Sequence, residues 1–354
     1  MENRIGTILP TPKSQGYYFP AEFFLHEATW LSWPHKEESW PGKIHTIYSP
    51  YVAFIKELTK GELVRINVVD EAMLNFAKEK LLHSGVDLHR VQFFIHPTND
   101  AWCRDHGPAF LINPNNPVKK IIVDWGYNAW GNKYPPYELD DVIPSLVGKA
   151  LNLPVYHPGI IMEGGSVDFN GAGTLITSTA CLLNQNRNSH LNQGQIEEYL
   201  YHYYGVDQVL WVDEGIIGDD TDGHIDDTVR FINEDTVITV VEEDKHDENH
   251  DLLQHNLIQL QSMRLIDGRP LNIIELPMPD AIYYEGQRLP ASYANFYIAN
   301  QSVIVPTFRG KKDDLALEII QAAMPDRKVV GIDSTDIIWG LGSFHCLSQQ
   351  EPAV

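Results

Sequence analysis

The 354-residue chain is 43% hydrophobic and holds three cysteines, enough apolar content for a full-sized core and too few thiols for a disulfide framework or a Cys-rich zinc module. Its 48 acidic against 26 basic residues give a formal net charge of −22, a field that repels nucleic acid and anionic lipid and draws cations. No apolar run approaches the ~18 residues of a membrane span, and residues 1–16 lack the basic-then-apolar pattern of a secretory leader, so a reducing, cytoplasmic setting is expected.

In chain order, helical apolar spacing marks residues 50–60, 71–83, 193–204, 251–263 and 313–323. Short β-rich runs fall at 63–69, 121–124, 174–177, 236–241, 302–305 and 329–332. Proline and glycine make loops of 113–117 and 126–136, and 242–250 is a charged surface connection. The pattern is α/β, and with no linker-like tract the whole of residues 1–354 is expected to form one domain. There is no strict sequence repeat, yet strand and helix alternate often enough to hide a divergent structural one.

Five segments could carry chemistry. In Trp102-Cys103-Arg104-Asp105, Trp102 and Asp105 can grip one planar cation, the indole stacking and the carboxylate forking it; the competing reading is a core Trp beside an Arg104–Asp pair. Glu163 is followed by Gly164 and Gly165, which let the acid approach a ligand or another side chain closely. In the acidic loop that enters Val229, His224 and Asp226 are expected on one strand face, as a general acid/base beside a carboxylate. A calcium loop fails there: with Gly223 sixth, its first and twelfth positions are Gly218 and Val229. A metal at His224 and Asp226 lacks further His or Cys at ligand spacing, and none is assigned. Asn295 is polar within an aromatic strand-like tract, where local hydrogen bonding is the plain reading. Cys346 follows the glycine-rich lead Gly340-Leu341-Gly342, which can present a thiol to a substrate, although a buried thiol used only for packing has the same sequence.

Together, Trp102-Cys103-Arg104-Asp105, Glu163-Gly164-Gly165, Gly223-His224-Ile225-Asp226, the tract from Tyr293 to Asn300, and His345-Cys346-Leu347-Ser348-Gln349-Gln350 resemble the agmatine deiminase family. More distantly they are similar to bacterial peptidylarginine deiminase and arginine deiminase. The order holds from Trp30-Leu31-Ser32-Trp33-Pro34-His35 onward.

The resemblance implies a five-bladed, pseudo-symmetric α/β propeller (pentein) of ββαβ units with its active site in a central funnel. It implies hydrolysis of agmatine to N-carbamoylputrescine and ammonia, in the context of putrescine synthesis, without metal or organic cofactor. Cys346 would be the nucleophile, forming a covalent amidino-thioether, and His224 the acid/base. Asp105 and Asp226 would bind the guanidinium, Glu163 would support them, and Trp102 would cover the substrate. Those two aspartates should also hold the Cys346 thiol neutral until a cation binds. Asp220 is the candidate for the distal amine, competing with a plain exposed loop aspartate, and Asn295 is a further substrate-binding candidate. The family's members are commonly homo-oligomers. Residues 307–314 are more basic than the family's usual stretch, so Arg309 or Lys311 facing the funnel would suit a carboxylate-bearing substrate. Arginine or a peptidyl-arginine thus stays open, as do amidino transfer to an amine and a guanidinium-binding protein without activity. Cys103 is expected to be a packed small residue.

Overall fold

The computed structural model describes residues 10–354, so residues 1–9 of the stretch read above for a leader lie outside the described residues. Five times the chain builds the same unit, a strand antiparallel to a second, then a helix, then a third strand parallel to the second. One unit comprises Ala109–Ile112, Lys120–Val123, the helix Ile143–Leu151 and Val155–Tyr156. The next has Val167–Phe169, Thr174–Ser178, helix Gln193–Tyr204 and Gln208–Val212. Then come Val229–Phe231, Thr236–Val241, helix Asn249–Ser262 and Asn272–Pro277. The fourth uses Tyr297–Ile298, Ser302–Thr307, helix Asp313–Ala323 and Lys328–Asp333.

The remaining unit joins the two ends of the described chain. Ser348–Pro352 pairs antiparallel with His26–Ser32, Trp30 lying opposite Gln349, and helix Ile44–Leu58 leads to the parallel strand Leu63–Val68. Helix Glu71–His83 then adds a fourth strand, Val91–Ile95. The middle strands are near-continuous apolar runs because both of their faces are covered.

The helices at 71–83, 193–204 and 313–323 have the bounds the sequence predicts, two of them fixed by caps. Asp70 accepts the Met73 N–H at 2.8 Å, and Asn192 with Gln195 forms a capping box. The predicted helix 50–60 instead begins at Ile44 and carries Pro50 inside it, Ile47 being buried ahead of the proline. The predicted loop 126–136 holds a tight turn, with Ala129, Trp130, Gly131 and Asn132 all at positive φ.

His224 and Asp226 do not share a strand. Asp219 accepts the N–H groups of Thr221, Gly223 and His224, winding the acidic loop into a turn, and a 3₁₀ helix Ile225–Asp227 precedes the strand at Val229. The positive φ of Asp222 and Gly223 completes that turn.

Five candidate positions now fall into register. Asp105 precedes Ala109–Ile112, Glu163 precedes Val167–Phe169, and His224 with Asp226 precedes Val229–Phe231. Asn295 precedes Tyr297–Ile298, and Cys346 precedes Ser348–Pro352. Each stands just ahead of the first strand of its unit.

Candidate active site

Asp105 lies in the short helix Cys103–His106. Its Oδ1 accepts the Gly165 N–H at 2.9 Å and its Oδ2 accepts the Trp130 indole N–H at 2.9 Å. Trp130 is delivered by the positive-φ turn, which Asn128 holds by accepting the Gly131 N–H at 2.8 Å. Gly165 sits where three side chains meet. A methyl group there would lie 2.5 Å from His224 Nδ1, 2.8 Å from Asp105 Oδ1 and 3.1 Å from Asp226 Oδ2. His224 Nδ1 itself stands 3.7 Å from Asp105 Oδ1. Both His224 ring nitrogens and Asp226 Oδ1 are buried without a well-formed hydrogen bond among the described residues, Asp105 and Cys181 standing close to the His224 ring.

The Cys346 sulfur receives the Asn295 side-chain N–H at 3.1 Å and lies 3.6 Å from Asp226 Oδ2. Asn295 has no amide end left over. Its Nδ2 also reaches Asp227 Oδ1 at 2.9 Å, and its Oδ1 accepts the His345 main-chain N–H at 3.1 Å. The structure therefore places Asn295 on the nucleophile's loop, with its amide bonded to protein groups.

Burial, then the charges of Asp226, Asp227 and Asp105, pushes the Cys346 thiol well above the usual thiol range, so it is neutral at pH 7, as expected from the sequence. Burial, with Asp226 and Glu163 adding to it against the pull of His224, raises Asp105 to about 6. Burial alone would depress His224, but Asp105, Cys181 and Asp226 overcome it and hold the ring well above its ordinary value. Asp226 is kept low, since His345 and His224 outweigh its burial, while burial and Asp226 drive neighbouring Asp227 up.

Behind Asp226 lies a network that sequence reasoning missed. His345 Nδ1 is 2.6 Å from Asp226 Oδ2, and its Nε2 is 2.7 Å from Glu22 Oε2. Glu22 also takes Arg104 at 3.0 Å, Arg230 at 2.9 Å and the Ile298 N–H at 2.8 Å. Arg104 thus pairs with Glu22, not with an adjacent aspartate. The only sequence signal was that an Arg immediately precedes Asp105 and a His immediately precedes Cys346.

A cavity of about 220 Å³ opens over Cys346 and Asp105, walled by Trp102, Trp130, Tyr134 and Trp339. Trp102 packs on Trp40 with ring centroids 5.3 Å apart, and Gly340 and Gly342 leave room for its ring. Asp220 lies at the wall and accepts the Tyr134 hydroxyl. Arg309 and Lys311 do not line the cavity; exposed Arg309 pairs with Asp333 at 2.7 Å. Glu163 is fully buried and accepts Arg187 Nε at 2.6 Å. Cys103 is packed beside Trp30 and Phe110, its thiol pushed by burial to about 12.

The sequence pattern of the Porphyromonas-type peptidyl-arginine deiminase family matches residues 18–352. An agmatine deiminase of Ectopseudomonas mendocina (strain ymp) is 33% identical over 370 residues, 98% of either chain. Among solved structures, the agmatine deiminase of Enterococcus faecalis, catalysing its reaction, superposes with a TM-score of 0.91 at 30% identity, covering 98% of each chain. A cysteine-to-serine agmatine deiminase of C. jejuni with substrate bound gives 0.85 at 34% identity, over 95% of this chain and 96% of that one. Agreement in sequence and in mixed α/β fold across nearly the full length leaves one assignment: the chain belongs to the Porphyromonas-type peptidyl-arginine deiminase family.

Proposed function

We propose that this protein is a hydrolase that converts the guanidinium group of agmatine to the ureido group of N-carbamoylputrescine, releasing ammonia. One observation carries the reading. Cys346 and Asp105, from two units, line an aromatic-walled cavity, and His224 and Asp226, both from a third unit, are buried directly against them. The names of the matched relatives point the same way. In this reading the five units stand as blades of a single-domain propeller around that floor. Cytoplasmic residence, on the sparse cysteine usage, and homo-oligomeric assembly, on the family resemblance, are part of the proposal.

Asp105 and Asp226 hold the planar cation while Trp102 and Trp130 exclude water beside it. The arriving positive charge lowers the pKa of the Cys346 thiol, whose proton passes to solvent and is later taken up by the released ammonia as ammonium, and the sulfur adds to the guanidinium carbon. Imidazolium His224 gives its proton to the departing nitrogen, which leaves as ammonia. Neutral His224 then takes a proton from water as the oxygen attacks the amidino-thioether; the C–S bond breaks and the thiol is restored. Glu163 supports the far side of His224. At the other end of the ligand, Asp220 receives the ammonium tail, while Arg309, engaged by Asp333, is unavailable to a carboxylate.

The test is to incubate wild-type protein and Cys346→Ala with agmatine, arginine and a blocked arginine peptide, measuring ammonia and ureido product. Cys346-dependent conversion of agmatine in preference to the other two is expected. Turnover confined to arginine or the peptide would overturn the tail assignment, and no turnover of any would overturn the activity.

A further inference from the structure

Glu163, Cys181 and His224 come from three separate segments, two loops and a short helix, and each offers a ligand atom within 4.8 Å of the other two. All three are fully buried. Glu163 Oε2 has no hydrogen-bond partner among the described residues, and neither does either ring nitrogen of His224. A carboxylate oxygen, a thiol sulfur and an imidazole nitrogen are the donor types of a zinc site with three protein ligands and water in the fourth position. Bond lengths of about 2.0–2.3 Å put tetrahedral donors roughly 3.5 Å apart, so the cluster needs only modest contraction. Glu163 is anchored through its other oxygen by Arg187 at 2.6 Å, leaving Oε2 to turn toward the cluster. Cys181 is fixed by the short helix Thr179–Leu182, where Ser178 caps its N–H at 3.2 Å.

We propose that Glu163, Cys181 and His224 form an inhibitory site for a thiophilic divalent cation, Zn²⁺ being the fitting example. The filled site ties up the imidazole that the reaction needs, so the ion acts as a brake and takes no part in turnover. The inhibition, though not the binding, rests on the acid/base role proposed for His224. Binding displaces the Cys181 thiol proton and requires a neutral His224 ring. Buried Arg187 opposes the incoming charge; Asp105, Asp226 and Glu163 favour it.

Cobalt(II) is the direct probe, because a thiolate ligand gives it a ligand-to-metal charge-transfer band that oxygen and nitrogen ligands do not. The band is expected with wild-type protein and with Cys346→Ser, at one ion per chain, and is expected to vanish in Cys181→Ser and Cys181→Ala. In parallel, zinc inhibition of agmatine turnover, read against each variant's own metal-free rate, should weaken by about tenfold or more in both Cys181 variants. No band in wild type, or a band lost in Cys346→Ser, would overturn the site; the latter result would move the metal to the nucleophile. Equal zinc inhibition of wild type and the Cys181 variants would overturn it as well. The cobalt spectra read the site even where agmatine turnover is absent, so failure of the activity and failure of the site are distinguishable.

Discussion

Asn295 clamps Cys346 from two sides: its side-chain N–H reaches the sulfur at 3.1 Å, and its oxygen accepts the main-chain N–H of His345, the preceding residue, at 3.1 Å. One amide therefore sets both the loop and the thiol it carries. Asn295→Ala should lower kcat by about tenfold to a hundredfold, the scale of a hydrogen bond to a group that becomes charged. KM should move little, and the melting temperature should fall modestly because the buried Cys346 main-chain N–H, 3.4 Å from Asn295 Oδ1, loses its acceptor. An unchanged kcat with a raised KM would instead assign Asn295 to the substrate.

In the proposed reaction the acid limb of activity belongs to Asp105. Only its ionised form binds the guanidinium, and burial raises the group to about 6, so kcat/KM of the free enzyme should climb with pH through about 6. Trp130 donates to the charged carboxylate at 2.9 Å and so favours ionisation. Trp130→Phe should shift the limb upward by about one unit. A downward shift would contradict the assignment.

Gly165 has no room for a side chain. Gly165→Ala places a methyl group 2.5 Å from His224 Nδ1 and 2.8 Å from Asp105 Oδ1, forcing both to move. Activity should drop by roughly a hundredfold or more, since a displacement of about 1 Å misaligns the reacting groups. Overpacking should cost about 1–3 kcal/mol of stability. Steady-state kinetics with a thermal melt would show both effects.

Glu22 is the counter-ion of two buried arginines and contacts His345 as well. Glu22→Gln leaves that positive charge uncompensated and should cost roughly 3–5 kcal/mol. Arg230, His345 and Arg104 together outweigh burial and hold the Glu22 carboxyl well below its ordinary value. A depressed carboxylate stabilises the fold above its unfolded pKa, and that stability is lost as pH falls through the folded value. Wild-type melting temperature should therefore decline on acidification below the ordinary carboxylate range, and part of that decline should be missing in Glu22→Gln.

The sequence exposed the parts of this molecule that depend on local pattern. Helix 71–83 and strand 236–241 carry their own caps and β-branched runs, so their bounds follow from neighbouring residues alone. Asp105, His224, Asp226 and Cys346 were legible because chemically suggestive residues cluster beside glycine, and the structure brings all four together. Strand Ser348–Pro352 was not legible: its residues are mostly polar, yet all five are buried, because their partners lie in His26–Ser32 and on Arg65 and Lys120. Glu22 escaped for the same reason. A lone glutamate near the start of the chain acquires meaning only when Arg104, Arg230 and His345 arrive around it. The strand expected at His224 fails because Asp219, through three backbone N–H groups, outcompetes the ladder for that segment.

The pairing of Ser348–Pro352 with His26–Ser32 has a consequence for how the protein is born. A ribosome releases the carboxylates and the imidazole long before the sulfur, and the sulfur is seated only when the late strand zips onto the early one. Contacts between such distant parts of a chain form slowly. Half-finished or half-folded copies thus hold Asp105, His224 and Asp226 without Cys346 in place, and in the proposed reaction they leave guanidines untouched until the late strand has paired.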